Sequence, residues 1–286
     1  MKPLMRWLGY ALSSLIYILP PGGRRVFGVF LALLWFDVLR IRRKVVLNNL
    51  QIAFPDWSES QRIDCARKSL MHLGWNFVDY SLMPFLSKKN YSNYVEFHGL
   101  EKVNKALSEG KGLLVLTLHM GAGDVITAGL ALHGIPSAIV TKEFKIKWLN
   151  ELWFELRTRL GVGLIGARNS SFALLRALKN NQMVIIPLDQ FTGPPIGVRT
   201  TFFGKETGTA AGLAVMAQRS GAPVISTYVR RLPSGKSAVY FEKWMSTSGE
   251  IEIVTQAFND ELENFVRLYP EQWMWLHKRW KRFVVN

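Results

Sequence analysis

Residues 113–124 read LLVLTLHMGAGD. Leu113–Leu118 is a continuous apolar run with one threonine, bounded by Gly112 and His119. A short apolar run between turn residues predicts a strand buried on both faces. Asp124 then opens a helical pattern over Asp124–Leu132. Outward from this segment the rhythm repeats. Ser137–Thr141, Met183–Leu188 and Pro223–Val229 predict buried strands, and Ala238–Lys243 alternates as an edge or half-exposed strand does. Leu100–Ser108, Lys147–Leu160, Ser170–Asn180, Thr207–Arg219 and Glu252–Leu268 predict helices, and Glu59–Leu82 a long amphipathic helix ahead of the sheet. Strand–helix alternation implies an α/β fold: a largely parallel sheet flanked by helices.

The composition supports a packed domain. Hydrophobic residues make up 49% of the 286 and charged residues 20%, which excludes a disordered chain. No internal repeat, low-complexity tract or obvious linker interrupts it. The single cysteine, Cys65, excludes an internal disulfide framework and a cysteine-cluster metal site. It falls in the amphipathic helix and reads as a small core residue. The net charge of +15 points to an acidic partner: nucleic acid, an anionic membrane surface or an acidic carrier protein.

The N-terminus favours the membrane. Trp7–Leu19 and Val26–Leu39 are apolar runs shorter than the roughly 20 residues that cross a bilayer. Pro20, Pro21, Gly22 and Gly23 separate them, which predicts two helices lying in or dipping into the membrane rather than one span. Eight Lys/Arg and one acid, Asp37, occupy the first 50 residues, and the bases bracket both runs. This is the pattern of a basic, cytoplasm-facing membrane anchor. A signal peptide fits the first run in length, but Pro20-Pro21-Gly22-Gly23-Arg24-Arg25 makes a poor cleavage site. The expected division is a membrane-associated helical segment over residues 1–45 and an α/β domain over residues 46–286.

Several motifs fail on context. Gly161, Gly163 and Gly166 spell GxGxxG but follow a helical pattern, where a dinucleotide site needs a preceding strand. Ser234-Gly235-Lys236-Ser237 lacks the earlier glycine of a P-loop, and no GxSxG elbow or HExxH pair occurs. No metal or bound cofactor is expected.

His119 and Asp124 stand out. The histidine follows a buried strand, at the edge where open α/β sheets bind ligands. Gly121 and Gly123 permit a tight turn that would fold the Asp124 carboxylate back onto the imidazole. A carboxylate-oriented histidine takes a proton from a hydroxyl or water. The residues alone equally allow a structural histidine and a helix N-cap aspartate.

The segment resembles the H-x4-D/E motif of the lysophospholipid acyltransferase superfamily. Other segments are similar to its lipid A biosynthesis (lauroyl/myristoyl) branch: NNLQIAFPDWSESQR at 48–62, IIPLDQFTG at 185–193, TFFG at 201–204, GTAAGLAVMAQRSGAPVI at 208–225 and PEQWMWLHKRWK at 270–281. The resemblance implies transfer of a fatty acyl chain from acyl-carrier protein to a hydroxyl of a lipid A precursor. It implies a location on the cytoplasmic face of the bacterial inner membrane. It implies His119 as general base and Asp124 as its orienting partner. Many members carry an aromatic residue where this chain has Gly123, and many lipid A enzymes carry Glu where it has Asp124. Alternatives are a related enzyme acting on a lysophospholipid, an aminolipid or a phosphatidylinositol mannoside, with acyl-CoA as its donor. A thioesterase and a basic membrane or nucleic-acid adaptor also stand, although the anchor argues against nucleic acid.

Supporting residues follow from position. Arg168 is expected to bind an acceptor phosphate or the thioester oxyanion, the latter also assigned to amides of Gly121 and Gly123. Asp189 and Gln190 end the Met183 strand and are expected to hold the acceptor or to position Arg168; a turn cap is their plain reading. Arg199 is a weaker candidate for phosphate. Lys142, Lys145 and Lys147 face the acidic carrier or a headgroup, or are simply solvated. Trp273, Trp275, His277, Lys278, Arg279, Trp280, Lys281 and Arg282 form a basic aromatic tail suited to a membrane interface, unless its tryptophans bury against the core.

Overall fold

The computed structural model describes residues 3–143, 145–167 and 170–284. Two apolar helices lead, α1 (Pro3–Ile18) and α2 (Pro21–Leu33), broken where Pro20-Pro21 was expected to break them. A π-helical turn, Leu34–Val38, leads to α3 (Arg43–Ala53). The long helix α4 (Glu59–Ser81) begins on a capping box, Ser58 with Gln61, which satisfies two otherwise orphaned backbone donors.

The rest alternates as the sequence predicts. The elements are β1 (Val95–His98), α5 (Leu100–Ser108), β2 (Leu113–Thr117), α6 (Gly123–His133), β3 (Ser137–Thr141) and α7 (Lys147–Arg159). There follow β4 (Gly163–Gly166), α8 (Ser171–Lys179), β5 (Met183–Pro187), β6 (Gly197–Phe202) and β7 (Lys205–Ala210). The last are α9 (Gly212–Ser220), β8 (Val224–Arg231), β9 (Ser237–Met245) and α10 (Ile251–Leu268). Two expectations need correction. The strand over Ala238–Lys243 is no edge strand, since β9 pairs with β1 on one side and β8 on the other. Thr207–Arg219 is not one helix; β7 takes its first residues. Thr207 and Thr209 are fully buried at two-residue spacing, and β7 pairs antiparallel with β6. Buried β-branched residues at that period fit a pleated face, not a helix.

Seven strands form the main sheet in the order β1-β9-β8-β2-β5-β3-β4. All neighbours are parallel except β8 and β9. Strands β2 and β5 lie side by side near the centre, and β2 is buried along its whole length. Their register pairs Thr117 with Pro187. The chain therefore leaves both strands at one point on the edge where α/β sheets hold ligands.

The N-terminal helices join this body. Ala32 and Phe36 belong to the same buried core as β2 and β5. Helix α1 meets α4 and α7, and α2 packs along α4. The α2–α4 contact is backbone to backbone. A β-carbon on Gly74 would stand 2.1 Å from the Gly28 carbonyl oxygen, so only glycine fits there. At the far end of α4, Arg231 of β8 forms a 2.6 Å ion pair with Asp79. Among the described residues no helix is long and apolar enough to cross a membrane. Leu4, Trp7, Leu8, Leu12, Leu15, Val26 and Phe30 nevertheless stand exposed.

The C-terminal residues turn inward. Trp273, Trp275 and Arg279 are no more than 1% exposed. The interface reading of these three is thus corrected: burying rings of that size is worth about 1.5–3 kcal/mol each, and the space under β6, β7 and α10 holds them. Among the described residues Arg279 pairs with no carboxylate; its Nη atoms donate to the Gly208 carbonyl, Thr209 Oγ1 and Asn259 Oδ1, each at 2.7 Å, while its buried Nε has no partner there. Burial pulls its pKa down to about 10.

Gly74→Val tests the α2–α4 seat. The added side chain must push α2 away, at a cost of about 1–3 kcal/mol. Limited proteolysis should then cut the Arg24-Arg25 segment faster while the sheet resists as before.

Candidate active site

His119 stands two residues beyond the end of β2 and Asp189 two beyond the end of β5. The strand register carries them together. Leu188 N–H donates to the Thr117 carbonyl at 2.9 Å, extending the ladder past both strands. His119 Nδ1 then lies 2.7 Å from Asp189 Oδ1. Asp189 is almost wholly buried, at 2% exposure, yet it accepts three hydrogen bonds. Besides the imidazole, the His119 backbone N–H and Trp273 Nε1–H donate to Oδ2, at 3.0 and 2.6 Å.

These bonds decide the charges. Burial alone would raise the Asp189 pKa, but the imidazole's charge and the donors outweigh it and hold the pKa at about 2. Burial would likewise lower that of His119, but the carboxylate's charge and hydrogen bond win and raise it above 6.5. Asp189 thus stays ionised and accepts from Nδ1–H. The lone pair is left on Nε2, which lies 3.4 Å from Gln190 Nε2. The His119 side chain is 36% exposed, and the Gln190 side-chain amide donates to Nε2 at the place a reactant hydroxyl would take. A histidine so oriented can take a proton from a hydroxyl and return it to a leaving group.

The partner therefore differs from the expected one. Asp124 begins α6, but its carboxylate faces α7. Arg157 Nε donates to Oδ1 at 2.7 Å and Trp153 Nε1 to Oδ2 at 3.0 Å. Arg157 also donates to Thr141 Oγ1 at 3.1 Å, locking α6, α7 and the end of β3 together. Asp124 adds only the last and smallest of the charge effects on His119. A helix start cannot turn its carboxylate back to a ring five residues earlier when a buried guanidinium already holds it.

The other expected residues divide. Gln190 reaches the site. Arg168 lies outside the described residues. Gly121 has φ +67°, and a β-carbon there would meet Val229 at 2.6 Å, so the turn after His119 does need its glycine. Gly123 is the first residue of α6 and is partly exposed. Arg199 sits on the β6–β7 hairpin opposite Gly208 and pairs with Glu206 at 2.8 Å. His277 accepts a hydrogen bond from the Phe191 amide at 3.0 Å, and burial lowers its pKa to about 4. It remains neutral and pins the chain just past Gln190. Among the described residues no cluster of His, Cys, Asp and Glu could hold a metal ion.

Comparison with known proteins gives this geometry its context. The sequence model of bacterial lipid A biosynthesis acyltransferases matches residues 2–282. The chain belongs to that family. It is 30% identical over 231 residues to a lipid A biosynthesis acyltransferase of Haemophilus influenzae, covering 80% of this chain and 72% of the relative. It is 27% identical to the lipid A biosynthesis lauroyltransferase of Escherichia coli K12, covering 97% of this chain and 91% of the relative. A phosphatidylinositol mannoside acyltransferase of Mycobacterium tuberculosis H37Rv is 26% identical, over 64% of this chain and 58% of its own. The protein is an acyltransferase.

Trp273 and Arg157, and the pairing of Asp189 with His119, escape a reading of the sequence. Trp273 is 84 positions from Asp189, and only the folded tail brings it there. Asp189 itself reads as a strand-end group, with nothing to say that β5 lies beside β2. Arg157 carries a signal, since it stands four residues after Trp153 on a predicted helix, but the sequence does not show which face is buried.

Two predictions separate the aspartates. The raised His119 pKa means that the imidazole loses its proton only above pH 6.5, so the acidic limb of kcat/KM should lie above that value. Asp189→Asn should move that limb to lower pH and cost about 100-fold or more in kcat. Asp124→Asn leaves the Arg157 charge buried without its partner. It should cost about 3–5 kcal/mol in urea unfolding, with little movement of the pH limb.

Proposed function

We propose that this acyltransferase moves a fatty acyl chain from an acyl-carrier-protein thioester to a hydroxyl of a lipid A precursor. The observation that carries the reading is the His119–Asp189 pair, with a part-exposed imidazole at the ligand edge of the sheet. The family membership supports the acceptor class.

The chemistry balances without an enzyme nucleophile. The acceptor hydroxyl gives its proton to His119 Nε2 as its oxygen attacks the thioester carbonyl. The ionised Asp189 stabilises the imidazolium that forms. As the tetrahedral intermediate collapses, the carbon–sulfur bond breaks, and the imidazolium returns the proton to the departing thiolate. The products are an ester and a free carrier thiol.

The proposed place of action is the cytoplasmic face of the bacterial inner membrane. Support comes from the exposed apolar side chains of α1 and α2 beside Arg6, Arg24 and Arg25. The net charge of +15 suits both an anionic leaflet and an acidic carrier.

The test is acyl transfer in detergent, with purified protein, radiolabelled acyl-carrier protein or acyl-CoA, and a panel of lipid acceptors. Label should appear in the lipid A precursor and fall about 100-fold or more in His119→Ala. Transfer confined to a mannoside or lysophospholipid would replace the acceptor, and free fatty acid alone would mean a thioesterase. Full activity in His119→Ala would overturn the site.

A further inference from the structure

Outside the N-terminal helices, three large apolar side chains stand exposed near the site. Ile146 and Trp148 are 51% and 37% exposed, and Phe172, at 80%, exceeds every other large apolar side chain among the described residues. Packing does not need them there. The buried residues of α8 are Leu174, Ala177 and Leu178, and Phe172 lies about 200° around the helix from Leu174. Trp148 continues the Leu152 stripe of α7 one turn beyond the point where that stripe is covered.

Topology gathers the three. Strands β3 and β4 are parallel neighbours with Thr141 opposite Gly166. The segments that follow them, which lead into α7 and α8, therefore leave the same sheet edge as His119 and Asp189. Lys142 lies close enough to His119 for its charge to oppose the imidazole's. Helix α1 continues the surface. A β-carbon on its Gly9 would stand 2.7 Å from Leu152 Cδ2, and Arg6 pairs with Glu155. The exposed Leu4, Trp7 and Leu8 thus belong to a helix seated on α7 one turn from Trp148.

Charge identifies the partner. Every described residue from Lys142 to Trp148 is exposed, and Lys142, Lys145 and Lys147 alternate there with Ile146 and Trp148 against one acid, Glu143. Arg176 is exposed one turn beyond Phe172, while Glu155 is offset by Arg6. Apolar and aromatic tips set among lysines fit the interface of an anionic bilayer.

We propose that Ile146, Trp148 and Phe172, with Lys142, Lys145 and Lys147, form a second membrane contact at the mouth of the active site. This edge seats the strand ends on an anionic leaflet, and the lipid acceptor reaches His119 from within it. The inference rests on the membrane reading made above for α1 and α2.

The single cysteine makes the test clean. Cys65 is buried, and its pKa is pushed up to about 12, so it stays unreactive. Phe172→Cys and, separately, Trp7→Cys are labelled with an environment-sensitive fluorophore on the full chain. Each is mixed with vesicles of phosphatidylethanolamine and phosphatidylglycerol, then with vesicles of phosphatidylcholine alone. At position 172 the emission should shift to the blue, iodide quenching should fall, and insertion into the neutral vesicles should weaken on the order of tenfold. A probe at 172 that stays open to iodide while the probe at 7 is shielded overturns the second contact and spares the first. Both probes open overturns the membrane reading as well. Equal insertion at 172 into both vesicle types overturns the anionic partner.

Discussion

A carboxylate held ionised in the interior, at Asp189, is the constraint around which the site is arranged. Isolated, such a charge would be expensive, and the fold offsets it with three donors aimed at two oxygens. The donors come from two separate parts of the structure. The imidazole and the His119 amide belong to the turn after β2, and the indole N–H belongs to the C-terminal segment. Strand order, turn conformation and tail must all be in place before the histidine has a fixed tautomer. That is why Trp273 is buried rather than spread on the surface.

The second buried pair divides the labour. Asp124 and Arg157 join α6 to α7, and Thr141 adds the end of β3. This triangle holds the wall of the site while Asp189 holds its base. The H-x4-D spacing thus joins a histidine paired with Asp189 to an aspartate that supports the helices around it. A charge pair between helices is a costly brace if either partner is lost, so the two positions depend on each other.

Much of the fold was legible in short windows. Ser137–Thr141 and Leu100–Ser108 read correctly to the residue, because their periodicity is strong and glycine or proline lies close by. VEFH at 95–98 and GLIG at 163–166 were too short to register, and KETGTA merged with the apolar helix after it. His119 was legible because its environment is local: a buried strand, then glycines. Its partner was not. The pairing of His119 with Asp189 depends on β5 lying beside β2, a fact of strand order that no periodicity encodes. The local spacing to Asp124 drew attention precisely because it was local. The tail misled for a related reason, since dense tryptophan and arginine suit a wet interface and a core seam alike until packing decides.

The meeting of Gly28 with Gly74 has a mechanical consequence. Where helices touch through side chains, rotamers can give, and the helices ride against each other by fractions of an ångström. Here backbone rests on backbone, with a carbonyl where a β-carbon would be. The joint has no compliant layer. Helix α2 behaves as a bracket bolted to α4 rather than a hinged arm. Whatever meets its outer face is held at a fixed standoff from α4.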